Sequence, residues 1–197
     1  MRVLLVHNFY QQPGGEDAIF TDEVALLRAF GHIVETYTEH NQRINEIGLI
    51  QTGIQTLWSA PARKALAERI RTFHPDIVHF HNTFQLISPA AYAVCQSAGV
   101  PVVQTLHNYR LLCPAATYFR EGRVCEECTN RLFPWPAIRH RCYRSSRIAS
   151  GGTAAMLYFH RLIKTWEDQV DRFICLTPFA AQKFKEGGLP SAKLSVV

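Results

Sequence analysis

A chain of 197 residues is long enough for one sizeable domain with its own core and too short for two full α/β domains. Apolar residues make up 47% and charged residues 19%, with 11 Gly and 10 Pro, which excludes a disordered, linker-like or collagen-like chain. The formal net charge of +5 suits anionic ligands such as nucleotides, phosphates or anionic lipid heads, whereas the arginines between Arg139 and Arg147 lack a base-stacking motif, so nucleic acid is not expected.

Residues 2–7 read as a buried strand. The apolar run before His7 is too short for a secretory signal, and no run approaches the roughly 20 residues of a membrane span, so a soluble cytoplasmic domain is expected. Residues 17–30 form a predicted helix, with Phe20, Val24 and Leu27 on one face and Gly31 as its stop. A second strand follows at 32–37. Residues 38–60 are poorly periodic and are expected to hold a loop and a short helix. Pro61 opens another helix, with Leu66, Ile70 and Phe73 facing inward.

After the turn His74-Pro75-Asp76, residues 77–80 are a third strand, 89–96 a helix, and 102–106 a fourth strand. Residues 107–150 are a long insertion rich in Cys, Arg and Pro. One long helix is expected over 151–170, a fifth strand over 173–176, and a helix from Thr177-Pro178 to Gly187-Gly188. A sixth strand starts near Lys193. Val196-Val197 stop inside an apolar run, which reads as a truncated chain. The alternation of strands and helices predicts an α/β fold with a Rossmann-like, doubly wound parallel sheet and a Cys-rich insertion, one domain over 1–197.

Ligands of such sheets bind where strands end at their carboxyl side. After the first strand come Gly14, Gly15 and Glu16, just before a helix whose free N–H groups suit an anion. The spacing is not G-x-G-x-x-G, so the nicotinamide-cofactor fingerprint is absent. After the third strand come His79-Phe80-His81-Asn82. The two histidines share one side of an extended chain, either as a polar cluster at a cleft or as hydrogen-bonded structural residues. After the fourth strand come His107, Asn108 and Tyr109. A histidine there can act as a base or donate a hydrogen bond to a sugar or phosphate.

Six cysteines without a secretory signal argue against a disulfide framework. Cys95 and Cys175 sit in apolar surroundings and are expected in the core. Cys125-Glu126-Glu127-Cys128 holds two thiolates at the bite of a tetrahedral ion, and Cys113 and Cys142 can complete the shell. Structural zinc suits the set. An iron–sulfur cluster uses the same residues, and His140 is an alternative ligand.

With these residues placed, the chain resembles the amino-terminal domain of glycosyltransferase family 4, the retaining sugar transferases of GT-B architecture. The resemblance rests on Pro13-Gly14-Gly15-Glu16 after the first strand, Asp76-Ile77-Val78-His79-Phe80-His81-Asn82, Thr105-Leu106-His107-Asn108-Tyr109-Arg110, and Phe173-Ile174-Cys175-Leu176-Thr177. It implies one half of a GT-B enzyme, on the acceptor side. The donor-binding carboxy-terminal domain, with its basic residue and Glu-x7-Glu motif, is absent from this chain. It implies a hexosyltransferase in the full-length protein, with a role in polysaccharide biosynthesis, and an inactive isolated half.

The resemblance further implies a nucleotide-sugar donor and a glycan, lipid-linked or small-molecule acceptor, with peripheral contact at the inner membrane face. Gly14, Gly15 and Glu16 match the family's glycine loop. His81 and Asn82 match a polar cluster at the cleft, and Asn108 and Tyr109, able to hydrogen-bond a hydroxyl or phosphate, are expected to bind substrate beside it. His107 matches the catalytic-site histidine near the transferred sugar. No catalytic metal is implied. Two rivals remain: a sugar-nucleotide epimerase, which would carry a cofactor glycine fingerprint, and a non-enzymatic zinc-stabilised α/β binding module.

Overall fold

The computed structural model describes residues 1–197, which divide into two compact units. The first comprises residues 1–105 and 169–173, the second residues 106–168 and 174–197.

In the first unit, β1 (Arg2–Phe9) is a central strand whose Leu4, Leu5 and Val6 have no exposed surface. A parallel strand covered on both faces needs such an uninterrupted apolar run. Helix α1 (Gly15–Ala29) packs Phe20, with Val24 and Leu27 beside it, onto Val3 and Leu5. That is the predicted stripe. β2 (Ile33–His40) follows.

The expected loop and short helix of 38–60 are instead the end of β2, a 3-10 turn at Asn41–Arg43, and α2 (Ile44–Leu57), interrupted by Gly48 at φ 76°. The misreading has a physical cause: α2 buries Thr52, Gln55 and Thr56 and exposes Leu49, Ile50 and Ile54. α3 (Ala60–Phe73) is capped by the Ser59 hydroxyl, which accepts from Ala62 N–H at 3.4 Å. It buries Leu66, Ile70 and Phe73 as expected. β3 (Ile77–Asn82), a 3-10 turn at Pro89–Ala91, α4 (Tyr92–Ser97) and β4 (Val102–Leu106) complete the run.

β1 pairs in parallel with β2 on one side and β3 on the other, and β3 pairs in parallel with β4. Strand order therefore reverses at β1, the arrangement whose crevice binds ligands in doubly wound sheets. The β1–β3 register shifts between Val6 and His7, which pair with Phe80 and Asn82. The sheet order over these strands is β2-β1-β3-β4.

In the second unit the insertion carries a small antiparallel pair, β5 (Phe119–Arg120) and β6 (Arg123–Val124), and a one-turn helix, α5 (Pro136–Arg139). Ala116, Tyr118, Glu121, Asn130, Arg141, Arg144 and Ser145 all adopt left-handed backbone there. Non-glycine residues in this region cost energy and persist only where surroundings hold them.

The helix expected over 151–170 is two helices, α6 (Arg147–Leu162) and α7 (Thr165–Gln169), parted at Lys164 with φ 52°. The break buries the His160 ring, which meets the Thr165 hydroxyl at 2.8 Å. β7 (Arg172–Cys175) begins in the first unit, where Asp171 binds Val102 through N–H to carbonyl at 2.9 Å and carboxylate to N–H at 2.7 Å. α8 (Pro178–Glu186) and β8 (Leu194–Val196) close the chain. Cys95 and Cys175 are buried, as expected of small hydrophobes. No helix is long and apolar enough to cross a membrane.

Candidate functional site

The turn between β1 and α1 belongs to the first unit. Gly14 is the N-cap of α1, with extended backbone at φ −128° and ψ 176°. Asp17 organises this turn. One of its carboxylate oxygens accepts from Gly14 N–H at 2.9 Å, and the other meets His7 Nε2 at 2.7 Å. The bond closes a link between the end of the central strand and the first turn of the helix. It also places negative charge at the positive helix end, where Glu16 lies as well. A Cβ added at Gly14 or Gly15 would meet nothing within 4 Å, and neither residue has positive φ. The fold itself does not require glycine at either position, and the space beside both is open.

His7 is fully buried, stacked on Phe20 with centroids 4.8 Å apart and edge-on to Phe9 at 4.6 Å. Burial lowers its pKa, and the hydrogen bond it donates to Asp17 only partly offsets this. Neutral His7 thus carries its proton on Nε2, donated to Asp17.

On β3 the two histidines share one side, as their spacing predicts, and both meet Glu23 of α1. His79 Nδ1 is 2.7 Å from one Glu23 oxygen and His81 Nε2 is 3.4 Å from the other. Burial pulls the Glu23 carboxyl upward, but the hydrogen bonds from His79 and His81 overcome it and hold the carboxyl well below the usual carboxylate range. Burial lowers the pKa of His81. The donor atoms of Glu23, His79 and His81 lie within 4.8 Å of one another. His79 has no lone pair left for an ion, because Nε2 also meets Thr105 Oγ1 at 2.8 Å. The trio is a hydrogen-bonded brace between α1, β3 and β4.

Asn82 is buried, and its amide donates to Asn8 O at 2.6 Å while its oxygen accepts from Phe84 N–H at 2.9 Å. Asn8 in turn binds Asn41 Oδ1 at 2.9 Å and accepts from Leu86 N–H at 2.8 Å. These asparagines fix the loop after β3. Asp17, His7, Glu23, Asn8 and Asn41 escaped the sequence reading. Asp17 had a signal, an acidic residue three positions after an N-cap, in the manner of a capping box. Glu23 had none.

His107, Asn108, Tyr109 and the four cysteines fall in the second unit. His107 is half-buried just after β4. Asn108 Oδ1 accepts from Arg110 N–H at 3.0 Å. Tyr109 packs at a tilt against Tyr118 and Phe184, with centroids 4.9 and 5.7 Å away, and its carbonyl accepts from Cys113 N–H at 2.8 Å. Cys113, Cys125, Cys128 and Cys142 line one cavity. Burial, and then the neighbouring Cys113 sulfur, push the Cys128 thiol up to about 11. Arg161 of α6, also unforeseen, donates to the carbonyls of Leu111 at 2.7 Å, Leu112 at 3.3 Å, and Arg131.

Comparison with known proteins supports the fold and the family. UDP-GlcNAc 2-epimerase from Methanocaldococcus jannaschii is similar with a TM-score of 0.55 and 11% identity, over 100% of this chain and 45% of that one. Anabaena Alr3699/HepE in complex with UDP and glucose is similar with a TM-score of 0.51 and 14% identity, over 99% of this chain and 43% of that one. S. aureus MnaA in a UDP co-structure gives 0.51 and 13%, over 99% and 44%. The chain therefore spans less than half the length of each. No curated protein matches in sequence. The profile described as Glycosyltransferase Family 4 matches residues 23–197, and the chain belongs to that family.

Proposed function

We propose that the chain is the acceptor-side half of a retaining GT-B glycosyltransferase, which moves a hexose from a nucleotide-sugar to a glycan, lipid-linked or small-molecule acceptor. The observation that carries the reading is the turn at Gly14-Gly15. It follows the central strand and opens a helix, is braced from beneath by Asp17 and His7, and has glycines that the fold does not itself need. Bare backbone at a helix N-terminus allows close approach of a phosphate or sugar hydroxyl.

Family membership supports the reaction class. Two proteins of similar fold, seen with UDP, support a nucleotide-sugar donor. In this reading Gly14, Gly15 and Glu16 border the substrates, and His107 positions the transferred sugar by hydrogen bonding. Asn108, Tyr109, His81 and Asn82 belong to the same substrate-binding set in this reading, with the buried His81 and Asn82 acting through the shape of the β3 end. The reaction takes place in the cytoplasm, at the inner membrane face where the acceptor is lipid-linked, and serves polysaccharide synthesis.

The test is to incubate the full-length protein with a panel of nucleotide-sugars and candidate acceptors and to measure nucleoside diphosphate release and glycosylated product. One donor should be consumed with its anomeric configuration retained in the product. Gly15→Ala should unfold at the same temperature as the parent and lose at least about tenfold in turnover, as an added methyl blocks a close backbone contact. A nucleotide-sugar returned with an inverted ring centre and no transfer would overturn the reading in favour of epimerisation, the activity named for the Methanocaldococcus jannaschii neighbour.

A further inference from the structure

We propose that Cys113, Cys125, Cys128 and Cys142 bind a single zinc ion that ties the 107–150 segment together. The four side chains come from separate parts of the insertion: the turn after β4, the loop after β6, and the segment after α5. All four nonetheless line one cavity of about 20 Å³. That space is just above what one water-sized particle occupies, about 10–15 Å³. It accommodates one ion.

The backbone presents the four sulfurs from fixed turns. Cys113 N–H binds Tyr109 O at 2.8 Å, and Cys113 O accepts from Ala116 N–H at 2.8 Å. Cys125 N–H binds Tyr118 O at 2.8 Å, and the turn after it is closed by Thr129 N–H on Glu126 O at 3.0 Å. Cys142 N–H binds Ala137 O at 3.0 Å. Four cysteines on one cavity supply the donor set of a closed tetrahedral shell, the form of structural zinc sites, which the sulfurs would draw together around the ion.

Charge and local structure agree. Four thiols that bind one Zn²⁺ release four protons to solvent and leave a net charge of −2. Arg120 and Glu127, paired at 2.8 Å, both line the same cavity, so a guanidinium lies beside Cys142 and can turn to that charge. The segment has two strands of two residues and one helical turn as its only regular structure before α6, together with seven left-handed non-glycine residues. A segment with so little regular structure and so many left-handed residues gains from a cross-link, which a metal on its four cysteines would supply. His140 is not a ligand: it lies outside the cavity lining, with Nε2 3.6 Å from Glu127.

Elemental analysis of the protein purified under reducing conditions without added metal should find about one zinc per chain. Cobalt exchanged into the site should show the intense visible absorption of a tetrahedral thiolate complex. Cys128→Ser should lose the metal, whereas His140→Ala and Cys175→Ser should keep it. If Cys128→Ser does not fold, the metal content and cobalt spectrum of the parent decide alone. Iron with visible absorbance, metal-free protein whose mass shows paired disulfides, or metal-free protein with four freely reactive thiols would each overturn the proposal. The result does not depend on the glycosyltransferase reading, because metal content is measured without turnover.

Discussion

His7 Nε2 and Asp17 Oδ1 lie 2.7 Å apart, and the second oxygen of the same carboxylate accepts from Gly14 N–H at 2.9 Å. One carboxylate thus joins the end of the central strand to the cap of the helix that follows it. The first turn of α1 is held at the point where the glycine backbone faces open space.

Replacing Asp17 tests this link. Asp17→Ala removes an N-terminal acceptor and leaves a buried imidazole N–H without a partner, at a cost of about 2 kcal/mol. For a chain of this size the melting temperature should fall by about 4–8 °C. Asp17→Asn keeps one acceptor oxygen and should fall less. Calorimetry of both variants checks the order, and an unchanged Asp17→Ala transition would show that the carboxylate braces nothing.

Acidification should destabilise the fold in two steps. His7 and His81 have lowered pKa values in the folded state, by burial, against an unfolded value of 6.5. The unfolded chain therefore binds more protons once the pH drops below that value, and stability falls as the pH falls through the region beneath about 6.5. Glu23, depressed from its unfolded value of 4.5, adds a second loss below that pH as its carboxylate is protonated. Urea midpoints measured from pH 7.5 down to pH 3 should fall first below 6.5 and again below 4.5. A midpoint independent of pH across this range would contradict the burial of the histidines as neutral groups.

Arg161 holds the insertion by its carbonyls. Arg161→Ala leaves the Leu111, Leu112 and Arg131 carbonyls without this donor, a loss of about 1–3 kcal/mol. Limited proteolysis should then cut within 107–146 faster than in the parent, while the first unit stays protected. Arg161→Lys should restore only part of the protection, since an ammonium cannot span the carbonyls as a planar guanidinium does.

His107 separates a functional from a structural role. In the full-length protein, His107→Ala should lower turnover by about 10²-fold, the scale of losing one positioned polar or acid–base group. The melting temperature should move little, because a half-buried residue supports few packing contacts. Near-normal turnover with a large drop in melting temperature would make His107 a structural histidine.

Local pattern alone was enough where one residue set its own environment. The apolar run of β1, the Phe20–Val24–Leu27 stripe of α1, the Leu66–Ile70–Phe73 stripe of α3 and the bounds of β4 follow from periodicity, because burial of a strand or of one helix face demands it. The same logic found the glycine turn and the cysteine set.

Residues 44–57 and 151–170 resisted, for opposite reasons. In α2 three of the four buried residues, Thr52, Gln55 and Thr56, are polar while Leu49, Ile50 and Ile54 are exposed, so periodicity points the wrong way. Between α6 and α7 the chain breaks at Lys164, which no local signal marks, to bury His160 against Thr165. Only the tertiary structure could bring His79 and His81 to Glu23, Asn8 to Asn41, and Arg161 to Leu111. Each pair lies on different elements, far apart in sequence, and is selected because a buried polar group without a partner is costly. The sequence determined which residue types were available to the two units, and packing decided which of them would meet.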